Sequence, residues 1–242
     1  MSEIKRADLH THILPGMDDG PKTVDASIRL LKAFEEINVF DIISTSHFYI
    51  HENGAERFIE RRAKAYDALK AQYSFPGRII LGAEVYYSKK LYRIDSFERL
   101  TLGNSNFILI ELPYIEKIDK DWPEDIEDMM KMTGLTVIFA HIERFFDKLT
   151  WSAKRKLYSM NAVFQINLSS LENENLRKKV YKFLKKGKFT VLASDSHNTE
   201  DRNPGKYEEG LRMLMEDLGE STASSLLKNT QDIFNEIADC TL

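Results

Sequence analysis

The chain has 242 residues, 43% of them hydrophobic and 30% charged, with 34 Lys and Arg against 38 Asp and Glu for a formal net charge of −4. That balance is ordinary for a folded water-soluble protein with a core of its own; it speaks against nucleic-acid binding, which carries a basic footprint, and no stretch has the length for membrane insertion. The one cysteine, Cys240, excludes an internal disulfide, and the opening MSEIKRADLH has no apolar signal segment, so a cytoplasmic location is expected.

Along the chain, short apolar runs alternate with longer segments of helical period. Arg6–His12 reads as a strand, followed by a helix with Pro21 in its first turn. That helix carries Val24, Ile28, Leu31 and Phe34 on one face and stops near Asn38. Val39–Ser46 is the second strand, Ala55–Gln72 a helix, and Arg78–Tyr86 the third strand. Ser88–Leu102 has only a partial helical pattern. Asn106–Leu112 is a strand, Pro123 opens a helix over Glu124–Met132, and Thr136–Ile142 and Ala162–Leu168 are further strands. Asn175–Lys186 is a helix ended by Gly187, Phe189–Ser194 the seventh strand, and Tyr207–Leu218 and Ser221–Ala238 the closing helices. Runs such as FILI, VIFA and TVLA are apolar at consecutive positions, as in parallel strands buried on both faces. Seven strands interleaved with helices, without linker or repeat, imply one α/β domain over residues 1–242, either a barrel or an open doubly wound sheet.

The cations Arg177, Lys178, Lys179, Lys182, Lys185, Lys186 and Lys188 alternate with Leu176, Val180, Phe183 and Leu184. This reads first as the solvated face of an amphipathic helix; the sharper reading is a surface for an acidic partner or a membrane.

Five of the six histidines, His10, His12, His47, His141 and His197, fall at or just beyond the C-terminal end of a strand run, with Asp19, Glu84, Glu111 and Asp195. In parallel α/β proteins that edge forms the active site. Carboxylates gathered there repel one another unless cations neutralise them, so imidazoles and carboxylates together read as ligands of divalent metal. H-x-H on a strand puts both imidazoles on one face, although H-x-H or D-x-H alone is a modest signal. Glu84 in GAEVYY and Glu111 in ILIELP each close an apolar run and would be costly to bury unpaired; the bland alternative is a salt bridge to Arg144 or Arg202. His51 runs into a loop and reads as a rim residue. Asp8 is expected to orient a liganding histidine, or else to be merely structural. Tyr49, Tyr86, Tyr87 and Tyr114 flank the strand ends and either line a pocket mouth or pack beneath the loops.

Taken in order, DLHTH at 8–12, DDGP at 18–21, STSH at 44–47, GAE at 82–84, IELP at 110–113, AHIER at 140–144 and ASDSHN at 193–198 resemble the PHP (polymerase and histidinol phosphatase) superfamily. DDGP, GAEVYY and AHIER resemble its bacterial capsule and exopolysaccharide branch of manganese-dependent protein tyrosine phosphatases. The resemblance implies a single distorted (β/α)7 barrel holding three divalent metals, manganese foremost, with iron and zinc as alternatives. It assigns His10, His12, Glu84 and Asp195 to the first metal. Glu84, Glu111 and His141 would hold the second, and Asp19, His47 and His197 the third. Arg144 and Arg202 would grip phosphate oxygens through their planar guanidinium forks.

The expected reaction is in-line attack on phosphorus by a metal-bridging hydroxide, with no phosphoenzyme, and with Asp195 able to move a proton. The implied partner is a phosphotyrosine protein, such as the tail of a bacterial tyrosine kinase. No C-x5-R loop exists, which excludes a cysteine-dependent phosphatase. Three competing readings share many of these features: a histidinol-phosphate or other small-molecule phosphatase, an amidohydrolase-like C–N hydrolase, and a non-catalytic metal-binding regulatory module.

Overall fold

The computed structural model describes residues 6–52, 54–113 and 121–241; Tyr114 lies outside them. The strands are β1 (Arg6–Thr11), β2 (Val39–Ser44), β3 (His47–Phe48), β4 (Arg78–Leu81), β5 (Glu84–Tyr86), β6 (Phe107–Glu111), β7 (Thr136–Phe139), β8 (Val163–Asn167) and β9 (Thr190–Ala193). The helices are α1 (Val24–Glu36), α2 (Ala55–Lys70), α3 (Trp122–Thr133), α4 (Trp151–Ser159), α5 (Glu174–Leu184), α6 (Gly205–Leu218) and α7 (Glu220–Asp239).

Every ladder is parallel. The strands form two sheets, of order β1-β2-β4 and β3-β5-β6-β7-β8-β9, and no continuous closed ladder joins them among the described residues. Two of the expected strands are broken: the second at Thr45–Ser46 and the third at Gly82–Ala83. At the breaks the backbone changes partners, with the Gly82 N–H donating to Ser44 O (2.8 Å) and the Glu84 N–H to Thr45 O (3.1 Å). On the opposite flank β1 meets the end of β9, where the Asp195 N–H donates to His10 O and the His12 N–H to Ser196 O, both at 2.9 Å.

Side-chain alternation divides the core in two. Ile42, Ile108, Ile110, Phe139, Phe164 and Leu192 face the helices and pack with Leu30, Phe34, Phe58, Phe183 and Leu211. Ala7, Leu9, Phe107, Leu109, Val163 and Val191 occupy the other face, with α7 contributing Ile233, Phe234 and Ile237. This inner face changes character along each strand. Phe107 and Leu109 lead to Glu111, Val163 to Gln165 and Asn167, and Val191 and Ala193 to Asp195. The apolar N-terminal halves fill the interior, and the polar C-terminal ends gather at one edge.

Helix ends differ from the sequence reading in instructive ways. Pro21 is not in the first turn of α1; Thr23 caps it, its side chain accepting from the Ala26 N–H. Ser88–Leu102 holds two short 3-10 turns, Leu91–Arg93 and Phe97–Leu100, rather than a helix. Helix α4 has no counterpart among the expected elements, because Leu157 is its one buried residue and it carries no apolar stripe.

Candidate metal centre

All nine sequence-selected residues meet at the C-terminal edge. His10, His12, Glu84 and Asp195 form one group, His12, Asp19, His47 and His197 a second, and His47, Glu84 and Glu111 a third, with ligand atoms within 4.8 Å of one another in each. His141 joins the last group, its Nε2 lying 2.8 Å from Glu84 and 3.6 Å from Glu111. His47 and His12 are thus placed between groups, more shared than their sequence assignments suggest. His51 is exposed and belongs to none of these groups.

Several imidazoles are pinned through one nitrogen with the other released. His12 Nδ1 donates to Asp18 Oδ2 (2.8 Å), and His197 Nδ1 donates to the carbonyl of Asp195 (2.9 Å). His10 Nδ1 lies 3.0 Å from Gln165 Oε1. The same oxygen accepts from the His141 backbone N–H at 2.7 Å, which fixes the amide orientation and makes His10 Nδ1 the donor. In each ring Nε2 is then the nitrogen turned toward the cluster, available to a cation once any proton on it is released, the arrangement that orients histidine as a ligand.

The two released nitrogens of His10 and His12 face each other at 3.2 Å. Glu84 Oε2 lies 2.9 Å from His47 Nδ1, 3.1 Å from His10 Nε2 and 3.2 Å from His12 Nε2, yet has no well-directed hydrogen bond. Ligand bonds of roughly 2.0–2.1 Å give polyhedron edges of about 3.0–3.4 Å, so these spacings are those of donors around a shared ion. The buried Nε2 of His197, 3.0 Å from Asp19 Oδ1, likewise has no well-directed hydrogen bond. Hard carboxylates with imidazoles suit manganese, iron or zinc, and the residues present fit divalent metal.

Electrostatics reinforce that fit. Burial opposes charge on His10 and His47, yet Glu84 and its fellow carboxylates lift their pKa values to about 9 and about 11. Burial and the Glu84 charge push Glu111 up to about 7, and burial drives His141 down to about 4. Burial works against ionised Asp195 too, but His10 and Arg144 hold its carboxyl well below the usual range. The site balances its carboxylates with imidazole protons, a role that bound cations take over with release of those protons.

Arg144 Nη2 donates to Asp195 Oδ2 at 2.5 Å; Arg202 donates to Asp195 Oδ1 at 2.9 Å and to Asp19 Oδ2 at 3.0 Å. Both arginine side chains are about one-third exposed, 33% and 34%. Tyr49 and Tyr86 stand half-buried beside the cluster with ring centroids 5.3 Å apart, whereas Tyr87 is buried and donates to Asp125. Asp8 binds backbone rather than imidazole: it accepts from the His10 N–H (3.1 Å) and the Ser194 N–H (3.1 Å), tying β1 to β9.

Two candidate ligands, His141 (φ 30°) and Asp195 (φ 56°), have left-handed backbones, which is costly for non-glycine residues and concentrates at functional sites. The turn ends β7 at Phe139, short of the expected strand end, and swings His141 toward Glu84. Gly20 in DDGP is dictated by close approach, since a Cβ there would stand 2.6 Å from His12 O.

Three supporting residues were not foreseen. Asp18 anchors His12 and also accepts from the His47 N–H at 3.0 Å. Gln165 Nε2 donates to Asn167 Oδ1 (2.6 Å), and Asn167 Nδ2 donates to Asp195 Oδ2 (3.0 Å), so one amide relay positions His10, His141 and Asp195. The available signal was FQIN in β8, with two amides at i and i+2 in an otherwise apolar strand. Gln165→Leu is expected to weaken metal affinity about 10–100-fold, measured by titration of the metal-stripped protein, because it frees the His10 ring.

Glu143 is buried with neither carboxylate oxygen hydrogen-bonded by another side chain, and burial raises its pKa from 4.5 to about 8. A group protonated in the fold and ionised in the unfolded chain makes stability fall as pH rises from 4.5 to about 8. Glu143→Gln is expected to flatten that fall, read from urea midpoints at pH 5 and pH 8.

Comparison with known proteins agrees with this architecture. The family model "Capsular polysaccharide synthesis, CpsB/CapC" matches residues 6–235, and the chain belongs to that family. The tyrosine-protein phosphatase CpsB of Streptococcus pneumoniae is 32% identical over 214 residues, covering 81% of this chain and 85% of that protein. A crystal structure from work on YwqE of Bacillus subtilis and CpsB of Streptococcus pneumoniae, metal-dependent tyrosine phosphatases, superposes with a TM-score of 0.73 at 25% identity, covering 93% and 95% of the two chains. Histidinol phosphate phosphatase of Lactococcus lactis shares the fold, with a TM-score of 0.60 at 15% identity over 89% and 94%.

Proposed function

We propose that this chain is a metal-dependent phosphatase of protein phosphotyrosine, working in the cytoplasm on a protein such as a capsule-system tyrosine kinase. The observation that carries the reading is Glu84, a fully buried carboxylate ringed by four imidazoles, beside two arginines that converge on Asp195. Within it, the two sheets make one distorted (β/α)7 barrel in a single domain over 1–242, closed at the His10–Asp195 seam.

His10, His12, Glu84 and Asp195 would hold one cation, Glu84, Glu111 and His141 a second, and Asp19, His47 and His197 a third, with manganese the leading choice. When bound, such ions supply Lewis-acid polarisation of phosphoryl oxygens and acidify coordinated water. The chain's own groups do the rest. Arg144 and Arg202 present planar donor forks to the non-bridging oxygens, and their charge counters what develops there in the transition state. Asp195, ionised and saturated with donors, aims both forks. Tyr49 and Tyr86 border the entrance as aromatic walls suited to a phenyl ring. A phenolate leaves without much help from an acid, which fits a site whose carboxylates are committed to ligation.

The competing substrate is histidinol phosphate, whose phosphatase shares the fold. Metal-loaded protein offered a phosphotyrosine peptide and histidinol phosphate together is expected to consume the peptide first. Preferential release of phosphate from histidinol phosphate would overturn the substrate assignment.

A further inference from the structure

A groove of about 420 Å³ lies between α4 and α5. Its aromatic lining is Phe146, Trp151, Tyr158 and Phe183, and its cations are Lys154, Arg155, Lys179, Lys182 and Lys186. Five cations stand against one acid, Asp147, which pairs with Lys179. The groove is thus strongly positive on a chain whose formal net charge is −4, so composition does not account for it. Lys154 and Lys182 make no ion pair among the described residues. Arg155 and Lys186 lie over the rings of Trp151 (5.7 Å) and Tyr158 (5.2 Å).

Trp151 is 75% exposed although a tryptophan at the first turn of a charged helix gains nothing from water. It stacks on no other ring among the described residues. An exposed tryptophan among cations, two of them, Lys154 and Lys182, without an ion pair among the described residues, is the composition of a surface that binds anionic and aromatic groups together.

One end of the groove reaches toward the candidate phosphate-binding end through Phe146. Phe146 follows Arg144 by two residues, at most about 7.6 Å along the backbone. Helix α4 has 9 residues and is thus about 13 Å long, room for roughly four residues of an extended segment at about 3.3 Å each.

We propose that this groove docks an acidic, aromatic-bearing segment of the substrate protein adjacent to its phosphotyrosine. The inference rests on the phosphotyrosine phosphatase reading given above. The concave shape favours a chain segment over a flat anionic bilayer. Docking there raises the local concentration of the phosphotyrosine at Arg144 and selects tyrosines set among Asp and Glu. It uses groups remote from the reacting atoms, so it acts on KM rather than on kcat.

The test uses the full, metal-loaded chain. A 16-residue unphosphorylated peptide of Asp and Glu around one tyrosine is titrated while tryptophan emission is followed, with Trp151→Phe as the blank. Saturable, salt-sensitive quenching is expected, and Lys154→Glu/Lys182→Glu should weaken it at least about tenfold. On the phosphorylated form of the same peptide the double variant should raise KM by a similar factor and leave kcat alone. Its turnover of para-nitrophenyl phosphate should be unchanged, which also confirms folding. Equal peptide affinity and equal KM in parent and variant would overturn the proposal. So would quenching by phosphatidylserine vesicles with none by the peptide. If the peptide docks as described but no phosphoester is hydrolysed, the docking surface is supported and the phosphatase reading falls by itself.

Discussion

Glu84→Gln is expected to lower kcat/KM on a phosphotyrosine peptide by about a thousandfold or more, a loss of several kcal/mol of transition-state stabilisation. The substitution is isosteric at a fully buried position, so the fold should persist and the metal-stripped variant should give a parent-like circular dichroism spectrum. The size of the effect follows from geometry. Among the described residues Glu84 is the one carboxylate within 3.2 Å of four imidazole nitrogens, those of His10, His12, His47 and His141. With Glu84 shared by two cations as proposed, removing its charge should weaken both together. Loss of metal on titration should therefore accompany the loss of turnover.

The second large effect is expected at Arg144. Arg144→Ala should lower kcat by about 10²–10³ while metal stoichiometry is kept, because the guanidinium contacts Asp195 but no imidazole nitrogen. Arg144→Lys should recover only part of the loss, since an ammonium supplies charge without the bidentate fork. A phosphate-competition assay separates the two outcomes: inhibition by inorganic phosphate should weaken in both variants, and more in the alanine form. Loss of metal in Arg144→Ala would instead make the arginine a prop for Asp195.

Much of the candidate site was legible because its residue types contradict their surroundings. Glu84 and Glu111 end apolar runs, and His10 and His12 interrupt one, so each marks a strand end facing polar chemistry. The supporting amides were not legible for the same reason in reverse. Gln165 and Asn167 are neutral, sit within a strand that is otherwise apolar, and reveal their task only through partners from β1, β7 and β9. In DDGP the spacing does not say which acid points inward; Asp18 takes the backbone of His47 and the ring of His12, while Asp19 reaches out to His197 and Arg202.

The fold shows a similar division. Strand runs were readable from their β-branched and apolar content, but the breaks at Thr45–Ser46 and Gly82–Ala83 depend on hydrogen bonds to neighbouring strands. Likewise α4 has Leu157 as its one fully buried residue, with Ala153 and Tyr158 only partly buried against the core, and Trp151 stands exposed. Local sequence pattern reports burial, and where burial is slight it reports little.

The central claim, that catalysis belongs to metal held by this cluster, is tested most directly by stripping the protein of metal and titrating Mn²⁺, Fe²⁺ or Zn²⁺ back while following hydrolysis of a phosphotyrosine peptide. The account predicts that activity disappears on stripping and returns with the bound metal, and that it fails to return in His10→Ala. Full activity in metal-free protein, or no phosphatase activity with any of the three ions, would contradict it.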